Sequence, residues 1–450
     1  MIVCKFGGTS VGDADAIRRA AEIVRSRLSH GPIAVVSALG GSTNVLIDIA
    51  EQAARGQLIA AMSHVEGVRD RHLRVAGDLL PGAGGEEVAL ELSAMCDEIG
   101  TLAEALSVLG HLTPRSLDTV ASFGERMSSI MIAAAFNAMG IPSQLVDARK
   151  VMITDNQHTR AEPLTDAIAE AARVHLAPLV REKKVPVMGG YVGATTAGIT
   201  TTLGRGDSDY SASLIGAALQ AEAIEIWTDV DGMMTVDPRV VPAARTIDQV
   251  GFEEASELAS FGAKVLHPYT IAPAVRLGIP VRVLNSRRPN GAGTSITFEA
   301  PRRPVTAIAG KSNVTLVKVR SPRMLLTEGF LRELFAIFER HKMSVDVVST
   351  SEVSVSVTVD DAARLEEAIS DLRQLGDVAI EQNRGIVALV GAALSESSDA
   401  MSRAIACIGG VRLHMLSLSA TGINLTMVVD GDEVDALLRR LHAAFFEGKN

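Results

Sequence analysis

The length, composition and charge of the chain indicate a globular protein with more than one domain. Its 450 residues exceed what one ordinary hydrophobic core organises, so two or three domains are expected. A hydrophobic content of 47% and a charged content of 21% exclude a disordered chain. The net charge of −10, without any basic block, argues against nucleic acid and anionic membranes as partners.

The sequence also restricts the expected compartment and metal chemistry. We see no basic segment followed by an apolar one at the N-terminus and no apolar run near the roughly 20 residues of a membrane span. The cysteines Cys4, Cys96 and Cys407 are too few and too far apart for a disulfide framework. We therefore expect a cytoplasmic protein. The ten histidines show no metal-ligand spacing, so no zinc site is expected.

The first part of the chain alternates apolar strands with helices. Strands are predicted at 2–6, 32–39, 143–148, 184–190, 223–230 and 280–285, and helices at 13–28, from Thr43 onward and at 207–221. This alternation predicts an α/β domain over residues 1–296, with a mainly parallel sheet covered by helices on both faces. Ligands bind such sheets at the carboxyl ends of the strands.

The rest of the chain repeats one pattern of elements. Residues 314–383 are predicted to form strand, helix, strand, strand, helix and strand, and residues 384–450 repeat this order without the last strand. Two such units predict two ferredoxin-like domains. Because residues 305–313 contain an apolar segment that fits the missing strand, we expect the first unit to be inserted within the second. The first helix of the repeat is predicted to carry Phe330, Leu331, Leu334, Phe335 and Phe338 on one apolar face.

Polar residues next to glycines follow several predicted strands. Lys5 precedes Gly7 and Gly8, and the other positions are Ser37, Thr43, Glu125, Arg205, Asp209, Thr228, Asp229, Arg239 and Lys264. Glycine amides approach phosphate oxygens closely because no Cβ intervenes, and the helix that begins near Asp13 adds positive potential. Cations, hydroxyls and accessible amides in this arrangement favour a site for a polyanion such as a nucleotide.

Each of these residues also has a purely structural interpretation. Lys5, taken alone, is more simply a solvated strand end. Glu125 can pair with Arg126 on a helix surface, and Arg205 and Asp209 can form an i,i+4 salt bridge. The remaining positions are compatible with turn caps and surface charges. The residues alone therefore indicate a nucleotide-binding α/β domain without a defined substrate.

The motifs taken together resemble those of one enzyme family, in the same order. They are KFGGTSV, VVSA followed by TNVL, SFGE, TTTLGRG with SDY, WTDVDG, DPR and FGAKVLHP, and they resemble the aspartate kinase (aspartokinase) family. The C-terminal repeat is similar to that family's pair of ACT domains. SVDVVSTSEVSV most resembles the monofunctional, lysine-sensitive type, so the resemblance covers nearly the whole chain.

The resemblance implies a reaction and a set of site residues. The family transfers the γ-phosphoryl group of ATP, with Mg²⁺ bridging the phosphates, to the β-carboxylate of L-aspartate in the first step of lysine, threonine and methionine biosynthesis. It implies catalytic roles for Lys5 and Asp209. The implied substrate-binding residues are Ser37, Thr43, Glu125, Arg205 and Ser208; the implied nucleotide-binding residues are Gly7, Gly8, Thr228, Asp229, Arg239 and Lys264. No metal ligand from the protein is implied.

The resemblance also implies feedback inhibition by L-lysine, through a homodimer or tetramer formed by the ACT domains. The implied effector residues are Met324, Thr327, Gly329, Phe330, Leu331, Ser344, Val345, Asp346, Thr350, Ser351 and Glu352. Threonine is the alternative effector.

Three positions depart from the pattern of the family. Asp207 stands where the family has glycine, Met234 stands where the lysine-sensitive type has an aromatic residue, and Thr327 stands where that type has serine. Two other functions therefore stay open at this stage. One is an amino-acid kinase with another acceptor, such as glutamate, and the other is a catalytically impaired amino-acid sensor built on the ACT pair.

Overall fold

The structure is a computed structural model that describes residues 1–204, 207–261, 268–325, 328–360 and 362–447. The described residues form two compact units: residues 1–232 with 268–298, and residues 233–261 with 299–447. Three of the predicted site residues, Arg205, Lys264 and Thr327, lie outside the described residues.

The strands and helices are numbered in chain order. The strands are β1 (Ile2–Phe6), β2 (Pro32–Val36), β3 (Ser143–Leu145), β4 (Ile153–Thr154), β5 (Val185–Gly189), β6 (Val192–Thr195), β7 (Thr200–Thr202), β8 (Ala223–Thr228), β9 (Gln249–Gly251), β10 (Val281–Asn285), β11 (Thr294–Thr297), β12 (Ala307–Arg320), β13 (Val345–Thr350), β14 (Ser354–Val359), β15 (Asp377–Val390), β16 (Met415–Leu418) and β17 (Asn424–Asp430). The helices are α1 (Ala14–Ser26), α2 (Ser42–Ala54), α3 (Leu58–Leu79), α4 (Ala83–Leu109), α5 (Pro114–Ala121), α6 (Phe123–Ala138), α7 (Thr165–His175), α8 (Ala177–Arg181), α9 (Asp207–Ala218), α10 (Phe252–Ser260), α11 (Pro268–Arg276), α12 (Phe330–Arg340), α13 (Ala362–Leu375), α14 (Ser398–Ile408) and α15 (Val434–His442).

The first unit is built on a mainly parallel sheet with the strand order β3-β5-β2-β1-β8-β10-β11. All neighbours pair in parallel except β10 and β11. Every residue of β1, β2 and β5 is buried, which requires cover on both faces of the sheet. The chain passes from β1 to β2 on one side and later reaches β8 on the other side. The carboxyl end of β1 therefore lies at a topological switch point, where sheets of this class bind ligands.

The second unit contains one antiparallel sheet with the order β13-β14-β12-β15-β17-β16. The long strands β12 and β15 run through the whole sheet. Residues 315–320 of β12 pair with β14, and residues 314–320 pair with the first part of β15. Residues 307–311 pair with residues 386–390 of β15. Each half of the sheet is thus a four-stranded ferredoxin-like module, and the predicted fold class is confirmed.

We call these halves the first module, from residue 314 to 381, and the second module, which contains 307–311 and 384–442. The strand from 307 to 311 completes the sheet of the second module, next to the strand from 386 to 390. This pairing is the one that insertion of the first module within the second requires.

The segment from 233 to 261 packs in the second unit, whereas the sequence placed it in a first domain ending at residue 296. The amide of Ile308 donates to the carbonyl of Thr235 at 2.8 Å. Val236 and Val241 are buried in the same apolar cluster as Leu438. Such long-range packing leaves no local mark in the sequence, so the compact units and the domains predicted from the sequence divide the chain differently at this segment.

The predicted apolar face of α12 is only partly correct. Phe330, Leu334 and Phe338 are buried in the core of the first module. Leu331 and Phe335 are 39% and 37% exposed, respectively. The buried residues recur every four positions, and Leu331 and Phe335 each lie one position further along, on the adjacent face of the helix. In the described part of the chain, no helix combines the length and apolar character needed to cross a membrane.

Candidate active site

Lys5 lies at the carboxyl end of the central strand β1. Its side chain is buried rather than solvated, with the residue only 9% exposed, so the interpretation as a solvated strand end is wrong. The Nζ atom lies 2.7 Å from Oδ1 of Asp209, in the first turn of α9. A Cβ placed on Gly7 would lie 3.6 Å from the same Nζ atom. The structure therefore brings a buried cation, a carboxylate and a glycine backbone to one point.

Hydroxyl groups surround this point from two directions. Ser37, directly after β2, donates from Oγ to Oγ of the buried Ser208 at 3.0 Å. Thr43 lies in the first turn of α2, and a Cβ on Gly124 would lie 3.8 Å from its Oγ1 atom. Ser128 of α6 donates to the carbonyl of Ser37 at 2.8 Å. Three of the predicted substrate residues therefore lie at the carboxyl edge near β1 and β2.

Glu125 is a buried carboxylate in the first turn of α6, with the residue 4% exposed. Its Oε1 atom accepts from the amide of Ala38 at 3.2 Å. The interpretation of Glu125 as a helix-surface charge is wrong, because its side chain is buried; the neighbouring Arg126 guanidinium lies over the ring of Phe123 at 4.5 Å. Glu125 thus joins α6 to the loop that follows β2 and adds negative charge beside the hydroxyls.

Gly189 and Gly190 permit this close approach, and the sequence analysis assigned them no role. A Cβ on Gly189 would lie 2.9 Å from Cβ of Glu125, and one on Gly190 would lie 2.6 Å from Cβ of Ser208. Real side chains do not tolerate such distances, so only glycine lets α6 and α9 approach the end of β5. Their position directly after a predicted strand was the available signal.

The ends of β8 and β10 form the neighbouring part of the edge. The amide of Gly7 donates to the carbonyl of Trp227 at 3.0 Å, which places the glycine turn against the end of β8. Thr228 is the last residue of β8, and the exposed Asp229 accepts from its hydroxyl at 3.3 Å. A Cβ on Gly8 would lie 3.2 Å from the carbonyl oxygen of Ala38, so Gly8 also occupies a tight approach.

Ser10 and Ser286 were missed by the sequence analysis. Their hydroxyls lie 2.8 Å apart, Ser10 also donates to the carbonyl of Trp227 at 3.1 Å, and Ser286 donates to that of Thr228 at 3.1 Å. Ser10 belongs to the KFGGTS motif, and Ser286 directly follows the predicted strand that ends at 285. Both positions therefore carried a signal that was overlooked.

Arg239, another of the predicted nucleotide-binding residues, is paired within its own unit. Arg239 lies in the second unit, is largely exposed and contacts Asp237 at 2.6 Å. This hydrogen-bonded pair lowers the pKa of Asp237 below its usual value. Met234, also in the second unit, accepts a hydrogen bond at Sδ from Thr246 at 3.5 Å. Asp207 is the first residue of α9. In the described part of the chain, no group of three or more His, Cys, Asp or Glu side chains is arranged to hold a metal ion.

The implied effector residues are in the first module, around α12 and β13. Gly329 precedes α12 in a left-handed conformation with φ 84°, and Met324 and Val345 pack against the core that contains Phe330. Leu331, Ser344, Thr350, Ser351 and Glu352 are exposed. The hydroxyls of Ser351 and Ser354 lie 2.7 Å apart in the turn between β13 and β14.

Asp346, another of these residues, already has a cationic partner. The Nζ atom of Lys311 lies 2.9 Å from Asp346 and 2.5 Å from Asp360. Burial raises the pKa of Asp346, while Lys311 opposes that rise. Burial disfavours the charge of Lys311, but its hydrogen bonds to Asp360 and Asp346 raise its pKa above the usual value. The ammonium group of Lys311 is therefore already paired with Asp346, the carboxylate that the resemblance assigns to binding of the effector.

Comparison with known proteins agrees with this geometry. The amino acid kinase family model matches residues 1–285. The chain is 37% identical to lysine-sensitive aspartokinase 3 of Escherichia coli (strain K12), over 99% of each chain. It is 35% identical to chloroplastic aspartokinase 2 of Arabidopsis thaliana, over 99% of this chain and 84% of the relative.

Solved structures show the same likeness in three dimensions. The crystal structure of E. coli aspartokinase III in complex with aspartate and ADP (R-state) has a TM-score of 0.85 at 36% identity, covering 99% of this chain and 100% of that chain. The complex with lysine and aspartate (T-state) has a TM-score of 0.86 at 36% identity, covering 99% of each chain.

A parallel sheet that presents a buried lysine, hydroxyls and glycine turns at one carboxyl edge, together with the family match, defines an amino acid kinase. The similarity to two aspartokinases, each over 99% of this chain, then specifies the kind of amino acid kinase. The chain belongs to the aspartokinases of the amino acid kinase family.

Proposed function

We propose that the chain transfers the γ-phosphoryl group of ATP to the β-carboxylate of L-aspartate, giving 4-phospho-L-aspartate and ADP. The observation that carries this proposal is the buried Lys5 ammonium, 2.7 Å from Asp209 at the carboxyl end of β1. The E. coli relative was crystallised with aspartate and ADP, which supports both substrates.

The reaction needs positioning and charge neutralisation rather than a general base. A β-carboxylate oxygen forms the bond to the γ-phosphorus, the bond from that phosphorus to the β,γ-bridging oxygen breaks, and ADP keeps the electron pair. The attacking carboxylate is already anionic, so the obstacle is repulsion between two anions. Lys5 is placed to neutralise the transferring phosphoryl group, and the low exposure of its site strengthens that interaction.

The substrate residues have complementary roles in this proposal. Ser37, Thr43 and the amide of Gly8 hold the reacting carboxylate through hydrogen bonds, whereas the amide of Gly7 is already bonded to the carbonyl of Trp227. Glu125 and Asp209 attract the α-ammonium group, and Ser208 extends the hydroxyl surface from α9. Arg205 is proposed to bind the α-carboxylate with its bidentate fork. Hydrogen bonds to charged groups of this kind give orientation as well as affinity.

The nucleotide is proposed to lie toward the end of β8, at Thr228 and Asp229, with Arg239 and Lys264 as further contacts. Mg²⁺ is proposed to accompany ATP and to neutralise charge on its phosphates. We propose that this ion is held largely by phosphate oxygens and water. Asp209 and Asp229 are two of the acidic side chains at this edge, besides Glu125.

L-Lysine is the proposed feedback inhibitor, binding to the first module between two copies of the chain. Asp346 lies on β13, and the exposed Thr350, Ser351 and Glu352 lie at the end of that strand and in the turn that follows it. We propose that these residues form the effector site between two copies of the chain, in a homodimer or tetramer formed through these modules.

We also propose a functional division of the chain into a catalytic domain at 1–296, a first ACT domain at 314–383, and a second one at 305–313 with 384–450. The match of the amino acid kinase family model to residues 1–285 supports including residues 233–261 in the catalytic domain, although they pack in the second compact unit. We also propose a cytoplasmic location, because the three free thiols suit a reducing compartment.

The direct test is ADP formation from ATP and Mg²⁺ with a panel of acceptors. We expect turnover with L-aspartate and much less with L-glutamate, N-acetyl-L-glutamate or buffer alone. Trapping the product with hydroxylamine separates an acyl phosphate from ATP hydrolysis. Preference for another acceptor, or lysine binding without turnover, would contradict the proposal.

A further inference from the structure

Asp118 is a buried carboxylate outside the set of predicted site residues. It lies on α5, only 1% exposed, and accepts hydrogen bonds from three residues. Thr202 Oγ1 donates at 2.5 Å, the amide of Thr159 lies 3.0 Å from both carboxylate oxygens, and Nδ1 of His158 lies at 2.7 Å. A fully buried carboxylate with this many donors joins elements that are far apart in sequence.

Asp118 links α5 to β7, and the helix that follows each of these elements carries proposed substrate residues in its first turn. On one side, α5 ends at Ala121 and α6 begins at Phe123, with Glu125 in its first turn. On the other side, Thr202 ends β7, and only residues 203–206 separate it from α9. That helix carries Ser208 and Asp209 in its first turn. Asp118 therefore fixes the spacing between two groups of substrate residues.

The segment around Thr202 is held at several further points. Its carbonyl accepts from the amide of Ala161 at 2.9 Å, and the amide of Leu203 donates to the carbonyl of Tyr191 at 3.1 Å. Thr159 adopts φ 70°, which is unfavourable for a β-branched residue, and its amide is one of the donors to Asp118. A carboxylate accepts all these bonds, whereas an asparagine would turn an NH₂ group toward one of the donors.

We propose that Asp118 is a positioning residue that sets the affinity for aspartate by holding Thr202, and through it the start of α9, against α5 and α6. The inference rests on the proposed function, since it concerns the aspartate subsite. Asp118 does not contact the reacting groups, and its effect reaches them through Ser208, Asp209 and Glu125. Thr228 and Asp229, the proposed nucleotide residues at the end of β8, belong to another element and are not among the donors to this carboxylate.

The test compares matched substitutions at Thr202. Thr202→Val keeps the shape of the side chain but removes the hydroxyl, whereas Thr202→Ser keeps the hydroxyl. Because one buried hydrogen bond to a charged group is lost, we expect Thr202→Val to raise the KM for aspartate by about ten-fold or more, with the KM for ATP within about two-fold. Thr202→Ser is expected to stay near wild type, and Asp118→Asn to resemble Thr202→Val.

His158 provides a second matched pair if the valine variant folds poorly. His158→Asn retains a donor for Asp118 and is expected to keep a near-normal KM, whereas His158→Leu removes the donor and raises it. Thermal unfolding of each variant measures the structural effect separately. A lower melting temperature with unchanged KM for aspartate, or equal changes in both KM values, would overturn the inference. A wild-type protein without aspartate-dependent ADP formation would instead contradict the proposed function.

Discussion

Lys5 and Asp209 form a buried ion pair, with 2.7 Å between Nζ and Oδ1, although 204 positions separate them in sequence. The pair joins the central strand of the first unit to the first turn of α9. It holds the lysine charge at the switch point of the sheet, where the proposal places the γ-phosphoryl group. Removing either partner alone leaves the other charge buried and unpaired.

Lys5→Met is expected to lower kcat by roughly a thousand-fold or more, because the transferring phosphoryl group loses its neutralising cation. Leaving Asp209 unpaired also costs on the order of 3 kcal/mol of stability. The double variant Lys5→Met/Asp209→Asn separates these effects, since it removes both charges and should recover much of the melting temperature without activity. Lys184→Met, which breaks the exposed pair with Glu182, is the control. Near-normal turnover by Lys5→Met would exclude the assigned role.

Glu125→Gln tests recognition of the substrate ammonium group. Glutamine keeps an acceptor for the amide of Ala38 but removes the negative charge. We expect the KM for L-aspartate to rise by about ten- to hundred-fold, because a charged hydrogen bond is replaced by a neutral one. Succinate lacks the ammonium group, so the preference for aspartate over succinate should fall in the variant. An unchanged preference would show that Glu125 does not contact the ammonium group.

Gly190→Ala is expected to reduce activity sharply, because the new Cβ would lie 2.6 Å from Cβ of Ser208. The required displacement of α9 should cost about 1–3 kcal/mol and disturb the pair of Lys5 with Asp209. Gly67→Ala in α3 is the matched control, since nothing lies within 4 Å of its added Cβ. That substitution should leave activity intact and stabilise the helix by about 0.5–1 kcal/mol. Calorimetry with activity assays checks both.

Lys311→Met is expected to strengthen inhibition by L-lysine. Removing the internal ammonium group leaves Asp346 and Asp360 available for the ammonium group of the effector. The concentration of lysine that halves activity should fall by several-fold, whereas Asp346→Asn should raise it. Lys318→Met, which breaks the contact with Glu381 on the same sheet, is the control and should behave like wild type. Weaker inhibition in Lys311→Met would instead make Lys311 part of the effector site.

The three thiols are expected to resist alkylation in the folded protein at pH 8. Burial raises the pKa of Cys4 well above its usual value, raises that of Cys96 to about 11, and raises that of Cys407. Because the folded pKa values are raised, the thiols favour folding below their unfolded pKa, and this contribution falls as pH rises above about 9. Mass spectrometry after iodoacetamide should show Cys407, the least buried, modified first. Rapid modification of Cys4 in folded protein would contradict this.

Local patterns in the sequence predicted most of the elements correctly. The apolar run at 2–6 is β1, and the predicted cap Asp13 accepts from the amide of Ala16 at 2.7 Å at the start of α1. The predicted helix at 207–221 contains α9, which spans Asp207–Ala218. These features follow from hydrophobic period and capping chemistry, which neighbouring residues determine.

Features that depend on distant partners could not be predicted in the same way. The burial of Lys5 requires Asp209, and the need for glycine at 190 requires Ser208. Residues 233–261 pack in the second unit through contacts that local periodicity does not encode. The candidate site was recognised from motifs, but the supporting role of Asp118 depends on partners such as Thr202 that are distant in the sequence.

Because the long strands β12 and β15 run through both modules, the first module is an insertion that can be removed as one segment. Its two connections to the second module lie side by side, since Val314 is paired with Arg384 and Lys311 with Ile386. A short turn that joins residue 311 to residue 384 would therefore replace the first module and connect two paired strands of the second module as a hairpin. Inserting a module with another effector preference between residues 311 and 384 would change which effector inhibits the enzyme while the second module stays intact.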